Sequence, residues 1–342
     1  MWEGTRCLIT GGASFIGSHL VDKLVELGAE VTVVDNFSSG KLENLQKSID
    51  KIRVLKLDLE LDSFTELVKA FRGHDVVFHL AAVHGGRGYI HAHPADTCSN
   101  FAIDHRTLEA CLKADIERLI FASSACVYPP ELQAKADSDY LLKEEDSNPS
   151  KLDRPLSADI EYGWAKLMGE IQLLAFIKQY GFKGCSLRFV TAYGPRENES
   201  HAIIALIYKA FERMDPYVIW GSGEQERDFT YVSDIVEGII LAAEKVTDGT
   251  PINLGTSRRY KIKQLVEKIF QIMGWRPRKI IFDTSKPVGV MSRALDISRA
   301  KELLGWEPKV SLEEGLKRTI EWYISTHERK GYVDERLLME RV

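Results

Sequence analysis

The chain has 342 residues, 44% hydrophobic and 28% charged, with 45 Lys and Arg against 50 Asp and Glu. That length suits one large domain or two lobes, and a net charge of −5 argues against a dedicated nucleic-acid or membrane-surface protein. No apolar run reaches a membrane span, the first residues lack a signal-peptide layout, and the five cysteines (Cys7, Cys98, Cys111, Cys126, Cys185) form no Cys-x-x-Cys pair, so reduced thiols in the cytoplasm and no zinc knuckle are expected.

Short apolar runs alternate with amphipathic stretches through the first half. Cys7 to Ile9, Val31 to Val34, Val54-Leu55, Val76 to Phe78 and Leu119 to Phe121 predict strands buried on both faces. Phe15 to Leu27 and Phe64 to Phe71 predict the helices between them. Trp164, Leu167, Met168, Ile171 and Leu174 predict one face of a long helix ending near Gly181, with a strand following from Ser186 to Val190. After Tyr193-Gly194-Pro195 the rhythm changes. A helix from about Ile203 to Arg213 leads to a strand at Val218 to Trp220, and Val232 to Gly255 reads as helix, turn and strand returning to the first lobe. The tail from about His327 is charged.

Thr10-Gly11-Gly12-Ala13-Ser14-Phe15-Ile16-Gly17 joins the first strand to the first helix. Glycines in such a turn let a pyrophosphate approach the backbone at the positive helix N-terminus. Asp35 closes the second strand, where a carboxylate can accept hydrogen bonds from ribose hydroxyls and repel a 2′-phosphate. Asn36 and the serines after it supply no Arg, so NAD is expected over NADP, and Asp58 after the third strand can meet the adenine. The fold class is therefore α/β, a Rossmann-type doubly wound parallel sheet with a smaller α/β substrate-binding lobe. The expected limits are 1–190 with 232–256 for the NAD-binding part and 191–231 with 257–342 for the other.

Ser124 follows the fifth predicted strand, and Tyr162 and Lys166 stand four apart at the head of the long helix, on one face. A nearby ammonium and an oxidised nicotinamide would lower the tyrosine pKa by roughly 1–3 units and make Tyr162 a usable base, with Ser124 orienting a substrate hydroxyl. Taken alone, the Tyr-Lys pair is a common surface feature. His91 and His93 lack a third ligand and read as helix-start histidines, so no metal is expected.

Together the glycine turn, Asp35, Ser124 and the Tyr162/Lys166 pair resemble the extended short-chain dehydrogenase/reductase superfamily, in its nucleotide-sugar epimerase/dehydratase branch. Tyr193-Gly194-Pro195, Arg227 to Val232 with Asp234, and Leu304-Gly305-Trp306-Glu307-Pro308 extend the resemblance over nearly the whole chain. It implies an enzyme whose cofactor contacts include Gly11, Ser14, Phe15, Ile16, Gly17, Asp35, Asn36, Asp58, Leu59, Ala81, Tyr162 and Lys166. It implies Arg227 and Arg293 on the nucleotide diphosphate, and a homodimer through the helix of Tyr162 and the one before it, burying Leu108, Leu112 and the face around Leu173. Two departures are Ser14, where a second glycine is usual, and Thr191, where a sugar-contacting Asn is common.

Ala125-Cys126 stands where dehydratases of this branch place an acidic residue, which argues against 4,6-dehydration. Ser123 to Pro129 and Gly85-Gly86-Arg87-Gly88-Tyr89-Ile90 resemble GDP-mannose 3,5-epimerase, while Ser200-His201-Ala202-Ile203 resembles GDP-fucose synthase, whose His partners its Cys. A 4-ketone acidifies the hydrogens on C3 and C5, and inverting either carbon needs a base and an acid, roles open to Cys126 and His201. The leading expectation is thus an NAD-retaining 3,5-epimerase of a GDP-hexose such as GDP-mannose, with Gly85, Gly86, Arg87, Ser124, Thr191, Arg227 and Arg293 around the substrate. The alternatives are a UDP-hexose 4-epimerase, an NADPH-consuming epimerase/reductase that Asp35 disfavours, and a silent NAD(H) sensor that the intact Ser124, Tyr162 and Lys166 disfavour.

Overall fold

The computed structural model describes residues 2–151 and 155–339, with side chains as far as His327, so the charged tail's side chains lie outside the described residues. In chain order the elements are β1 (Arg6–Thr10), α1 (Phe15–Glu26), β2 (Glu30–Asp35), β3 (Ile52–Lys56), α2 (Phe64–Phe71), β4 (Val76–His79), α3 (Arg87–Ala92), α4 (Pro94–Cys98), α5 (Asn100–Lys113), β5 (Arg118–Ser124), α6 (Ile160–Tyr180) and β6 (Lys183–Phe189). There follow β7 (Ala192–Tyr193), α7 (Ala202–Phe211), β8 (Tyr217–Trp220), β9 (Glu226–Arg227), β10 (Thr230–Tyr231), α8 (Val232–Lys245), β11 (Asp248–Leu254), β12 (Tyr260–Lys261), α9 (Ile262–Met273), β13 (Ile280–Asp283), β14 (Ser292–Arg293) and α10 (Leu312–Met339).

Among the described residues seven parallel strands form one sheet in the order β11-β6-β5-β4-β1-β2-β3. Cys7 of β1 pairs with Val31 on one side and Val76 on the other. The winding reverses at β1, which opens a crevice beyond the C-terminal ends of β1 and β4. Leu20, Val21 and Leu24 of α1 pack with Ile235 and Ile239 of α8 against one face. Leu67, Phe71, Leu108, Cys111 and Leu173 from α2, α5 and α6 cover the other. Four of the five predicted strands are buried throughout their predicted cores, but β3 is half exposed because it is the sheet edge.

Two expectations about α6 need correction. Trp164 and Met168 are 44% and 40% exposed, whereas Leu167 is buried as expected, in a stripe with Tyr162, Gly163, Ala165, Lys166, Gly169, Glu170 and Leu173. The apolar residues chosen from the sequence therefore straddle the core and solvent faces. Leu108 of α5 lies inside the chain's own core at 3% exposure, so it cannot be a dimer surface, whereas Leu112 is partly exposed and Leu173 itself is buried beneath the outer face expected around it.

The Arg227 to Asp234 segment is tied to later parts of the chain by its two aspartates. The Asp228 carboxylate accepts hydrogen bonds from the backbone of Thr256, Ser257 and Leu295. Asp234 accepts from the backbone of Lys309 and Val310, and its carbonyl accepts from Trp306 Nε1 at 3.0 Å. The small sheet β12-β9-β14 sets Arg293 in parallel register beside Arg227.

Candidate active site

One cleft of about 1530 Å³ runs from the β1 turn to the second part of the chain. At its first end Gly11 has φ +69°, and a Cβ there would lie 2.8 Å from the Ala81 amide nitrogen. A Cβ on Gly17 would meet the Gly11 carbonyl oxygen at 2.2 Å. Only bare backbone lets the turn, the β4 end and the start of α1 approach so closely. Ser14 is the N-cap of α1, and it lines the cleft with Phe15 and Ile16.

Asp35 is 5% exposed in the cleft wall. Its two oxygens accept from the backbone amides of Ala13 and Phe37 at 2.9 and 2.8 Å, so it also organises the loop it was expected only to present. Burial pushes its carboxyl up, against those two hydrogen bonds. Asn36 donates to Asp58 at 2.9 Å, and both line the cleft with Leu59 and Ala81.

The catalytic candidates meet at the middle of the cleft. Ser124 ends β5, its hydroxyl accepts from the Cys126 amide at 3.1 Å, and it lines the cleft with Tyr162. Gly163 makes this possible, since a Cβ there would stand 2.2 Å from the Cys126 carbonyl oxygen. Lys166 is 1% exposed, and its Nζ makes no hydrogen bond among the described residues. A buried ammonium with free donors facing a cleft fits a dinucleotide ribose. The expected lowering of the Tyr162 pKa is absent from the protein by itself. Burial drives the phenol up, with Cys126 and Asp104 adding to the rise.

At the far end Arg87 donates to Asp159 at 2.5 and 3.3 Å, and Arg293 donates to the same carboxylate at 2.7 Å. Arg293 also donates to Gln133 at 2.5 Å and to the Cys126 sulfur at 3.2 Å. Burial pushes the Asp159 carboxyl up, but the two arginines outweigh it and hold the group below its ordinary range. The neighbouring Arg227 is pushed down to about 9 by burial and by the charges of Arg293 and Arg87. Three guanidinium groups around one carboxylate leave a positive surplus that a diphosphate would neutralise.

His201 caps α7, with Nδ1 2.9 Å from Glu197 and its ring stacked on His84 at 4.9 Å between centroids. The His84 ring in turn lies 6.1 Å from that of Tyr162. Burial pulls His201 down to about 4 and pushes the Glu197 carboxyl well up, so it favours the neutral form of both groups. Gly85, Gly86 and Thr191 line the same cleft. A Cβ on Gly86 would meet the Ser200 carbonyl at 2.5 Å, which seats the glycine loop against the His201 segment.

The sequence reading missed Asp159, Asp104, His84 and Glu197. Asp159 and Glu197 each stand three or four residues from a chosen site residue, and that proximity was the available signal. Asp104 was legible only as an acid on the inner side of an amphipathic helix.

The described side chains thus bring every residue named for chemistry to one cleft wall. Residues 7–255 match the NAD dependent epimerase/dehydratase family. A UDP-N-acetyl-alpha-D-glucosaminuronate decarboxylase of Bacillus cytotoxicus is 34% identical over 93% of this chain and 97% of its own. The crystal structure of a UDP-glucose 4-epimerase from Thermotoga maritima, determined with UDP-glucose, is 33% identical with a TM-score of 0.83, covering 94% and 99%. MoeE5 in complex with UDP-glucuronic acid and NAD is 31% identical with a TM-score of 0.79, covering 94% and 99%. None of the three is a GDP-sugar protein, so the comparisons do not support the GDP-mannose expectation, and they match the UDP-hexose alternative better. With a Rossmann-type sheet, a glycine turn at its switch point and a Ser-Tyr-Lys set above it, the chain belongs to the NAD-dependent epimerase/dehydratase family of extended short-chain dehydrogenase/reductases.

Proposed function

We propose that the protein is an NAD-retaining epimerase that inverts C4 of a UDP-hexose. The observation that carries this reading is that Ser124, Tyr162 and Lys166 line one cleft with the glycine turn and the arginine cluster. Gly11, Ser14, Asp35 and Lys166 would hold NAD⁺, which would supply reversible hydride transfer at the sugar C4 with no net oxidation. Tyr162 takes the proton of the 4-hydroxyl and later gives it back, and Ser124 orients that hydroxyl. Burial raises the Tyr162 pKa in the protein by itself, and positive charge from Lys166 and an oxidised nicotinamide would act against that rise. Arg227 and Arg293, adjacent in register, hold the diphosphate, with Arg87 beside them. Inverting C4 requires the 4-keto sugar to turn its opposite face to the cofactor while the diphosphate stays held.

One observation favours a second reading, inversion at C3 or C5 as in the 3,5-epimerase expectation. Cys126 is partly exposed in the cleft, and its sulfur accepts from Arg293 at 3.2 Å. His201 would then act as a neutral partner with Glu197, since it holds no positive charge at pH 7. Incubating the protein with UDP- and GDP-hexoses in D₂O, followed by NMR, tests both. The C4 reading expects inverted C4 without solvent deuterium on carbon. Deuterium at C3 or C5 overturns it in favour of the second.

We also propose a homodimer through the outer face of α5 and α6. The exposed Phe101, Trp164 and Met168 replace the buried leucines as its apolar centre.

A further inference from the structure

Beneath the catalytic tyrosine lies a chain of buried polar groups that neither Ser124, Tyr162 nor the substrate cluster uses. The Ala81 amide donates to Thr10 Oγ1 at 3.3 Å, and Thr10 Oγ1 lies 2.7 Å from His79 Nδ1. With its proton spent on Nδ1, Thr10 leaves His79 neutral and protonated on Nε2, the form that burial also favours. His79 Nε2 then donates to Asp104 Oδ1 at 3.0 Å. Asp104 Oδ1 lies 3.8 Å from Lys166 Nζ, with both side chains 1–2% exposed. Asp104 Oδ2 and Lys166 Nζ have no hydrogen-bond partner among the described residues. The charges are therefore each other's principal compensation.

Every element around Lys166 supports this reading. From α5 comes Asp104, from β4 the neutral His79, and from β5 the Phe121 ring, 4.8 Å from Nζ. Its own helix supplies Tyr162, and the segment after β4 supplies His84, held neutral by burial. Burial pulls Lys166 down, and Asp104 alone opposes it. Two buried opposite charges at this distance depend on one another, because removing either strands the other in a low dielectric.

We propose that Asp104 is a positioning residue, whose carboxylate, oriented by Thr10 and His79, is the counter-ion that keeps the Lys166 ammonium charged and fixed on the Tyr162 face of α6. The proposal rests on the reading of Tyr162 and Lys166 as the catalytic pair, but its main test does not need turnover. The ε-carbon NMR signal of Lys166 in ¹³C-lysine-labelled protein, assigned with Lys166→Arg, reports its protonation directly. In Asp104→Asn that titration should move to lower pH by about 1 unit or more, the size expected from losing an opposite charge at this range. The alkaline limb of kcat should move the same way, whereas a merely structural role would lower kcat without displacing the limb. If Asp104→Asn does not fold, His79→Leu strips Asp104 of its donor, favours its neutral form, and should move the Lys166 titration in the same direction by less. A Lys166 titration that stays in place in the folded variant overturns the proposal, whatever reaction the enzyme proves to catalyse. A displaced titration in a protein without epimerase activity would uphold the counter-ion and overturn only the functional reading.

Discussion

The two ends of the cleft are built by opposite strategies. The cofactor end is contiguous in sequence and made of backbone: Gly11, Gly17 and the amides that grip Asp35 all lie within 37 residues of the N-terminus. The arginine end is made of side chains brought from far apart: Arg87 from α3, Cys126 after β5, Asp159 before α6 and Arg293 from β14. A backbone site depends on the absence of Cβ atoms and tolerates little change. A charge cluster depends on balance, so removing one member leaves the others uncompensated.

The largest expected effect lies where the two ends meet. Tyr162→Phe should lower kcat by about 10²–10⁴-fold, the cost of losing a positioned acid–base group, with NAD retained. A smaller loss measured in steady-state kinetics would mean that another group takes the proton. Next, Gly17→Ala should abolish cofactor retention, because its methyl would stand 2.2 Å from the Gly11 carbonyl. Bound NAD(H), read from the absorbance of the purified protein, checks this, and unchanged occupancy would break the backbone account of that end.

Asp159→Asn probes the charge-built end. It should destabilise the fold by about 3–5 kcal/mol at pH 7, the range for breaking a buried ion pair, measured by urea unfolding. The pH dependence has a defined sign. The Asp159 carboxyl is held below its ordinary range in the fold, so its contribution is full above the ordinary carboxylate pKa and is lost as pH falls through the folded value. The Asn variant should therefore lose less stability on acidification than the unmodified protein.

Asp35→Ala should narrow the preference for NAD over NADP by about tenfold, or about 1.4 kcal/mol, in binding titrations. Equal affinities for the two cofactors in the unmodified protein would sink the carboxylate argument. The smallest effect concerns assembly. Trp164→Glu should leave each fold intact and halve the mass seen by light scattering at micromolar concentration, and a monomer mass in the unmodified protein would reject the α5/α6 face.

The legible parts of this protein are those that short-range chemistry dictates. Short apolar runs and helical spacing announced the strands and helices, and the run from Thr10 to Gly17 was readable as a glycine turn because such a turn is completed within one strand–helix junction. Tyr162 and Lys166 were legible because four residues on a helix make one face. Which face of α6 is buried was not, since apolar residues lie on both sides and packing against α5 chose between them. The same holds for the charges. The resemblance put Arg87 and Arg293 around a substrate but gave them no partner, and pairing β14 with β9 in register brought Arg293 beside Arg227 and onto Cys126 and the unread Asp159. Asp104 meets Lys166 only across two packed helices. Local backbone geometry could be read from the chain, but the compensation of buried charge depends on distances between remote segments, and those exist only once the sheet has closed and its helices have packed.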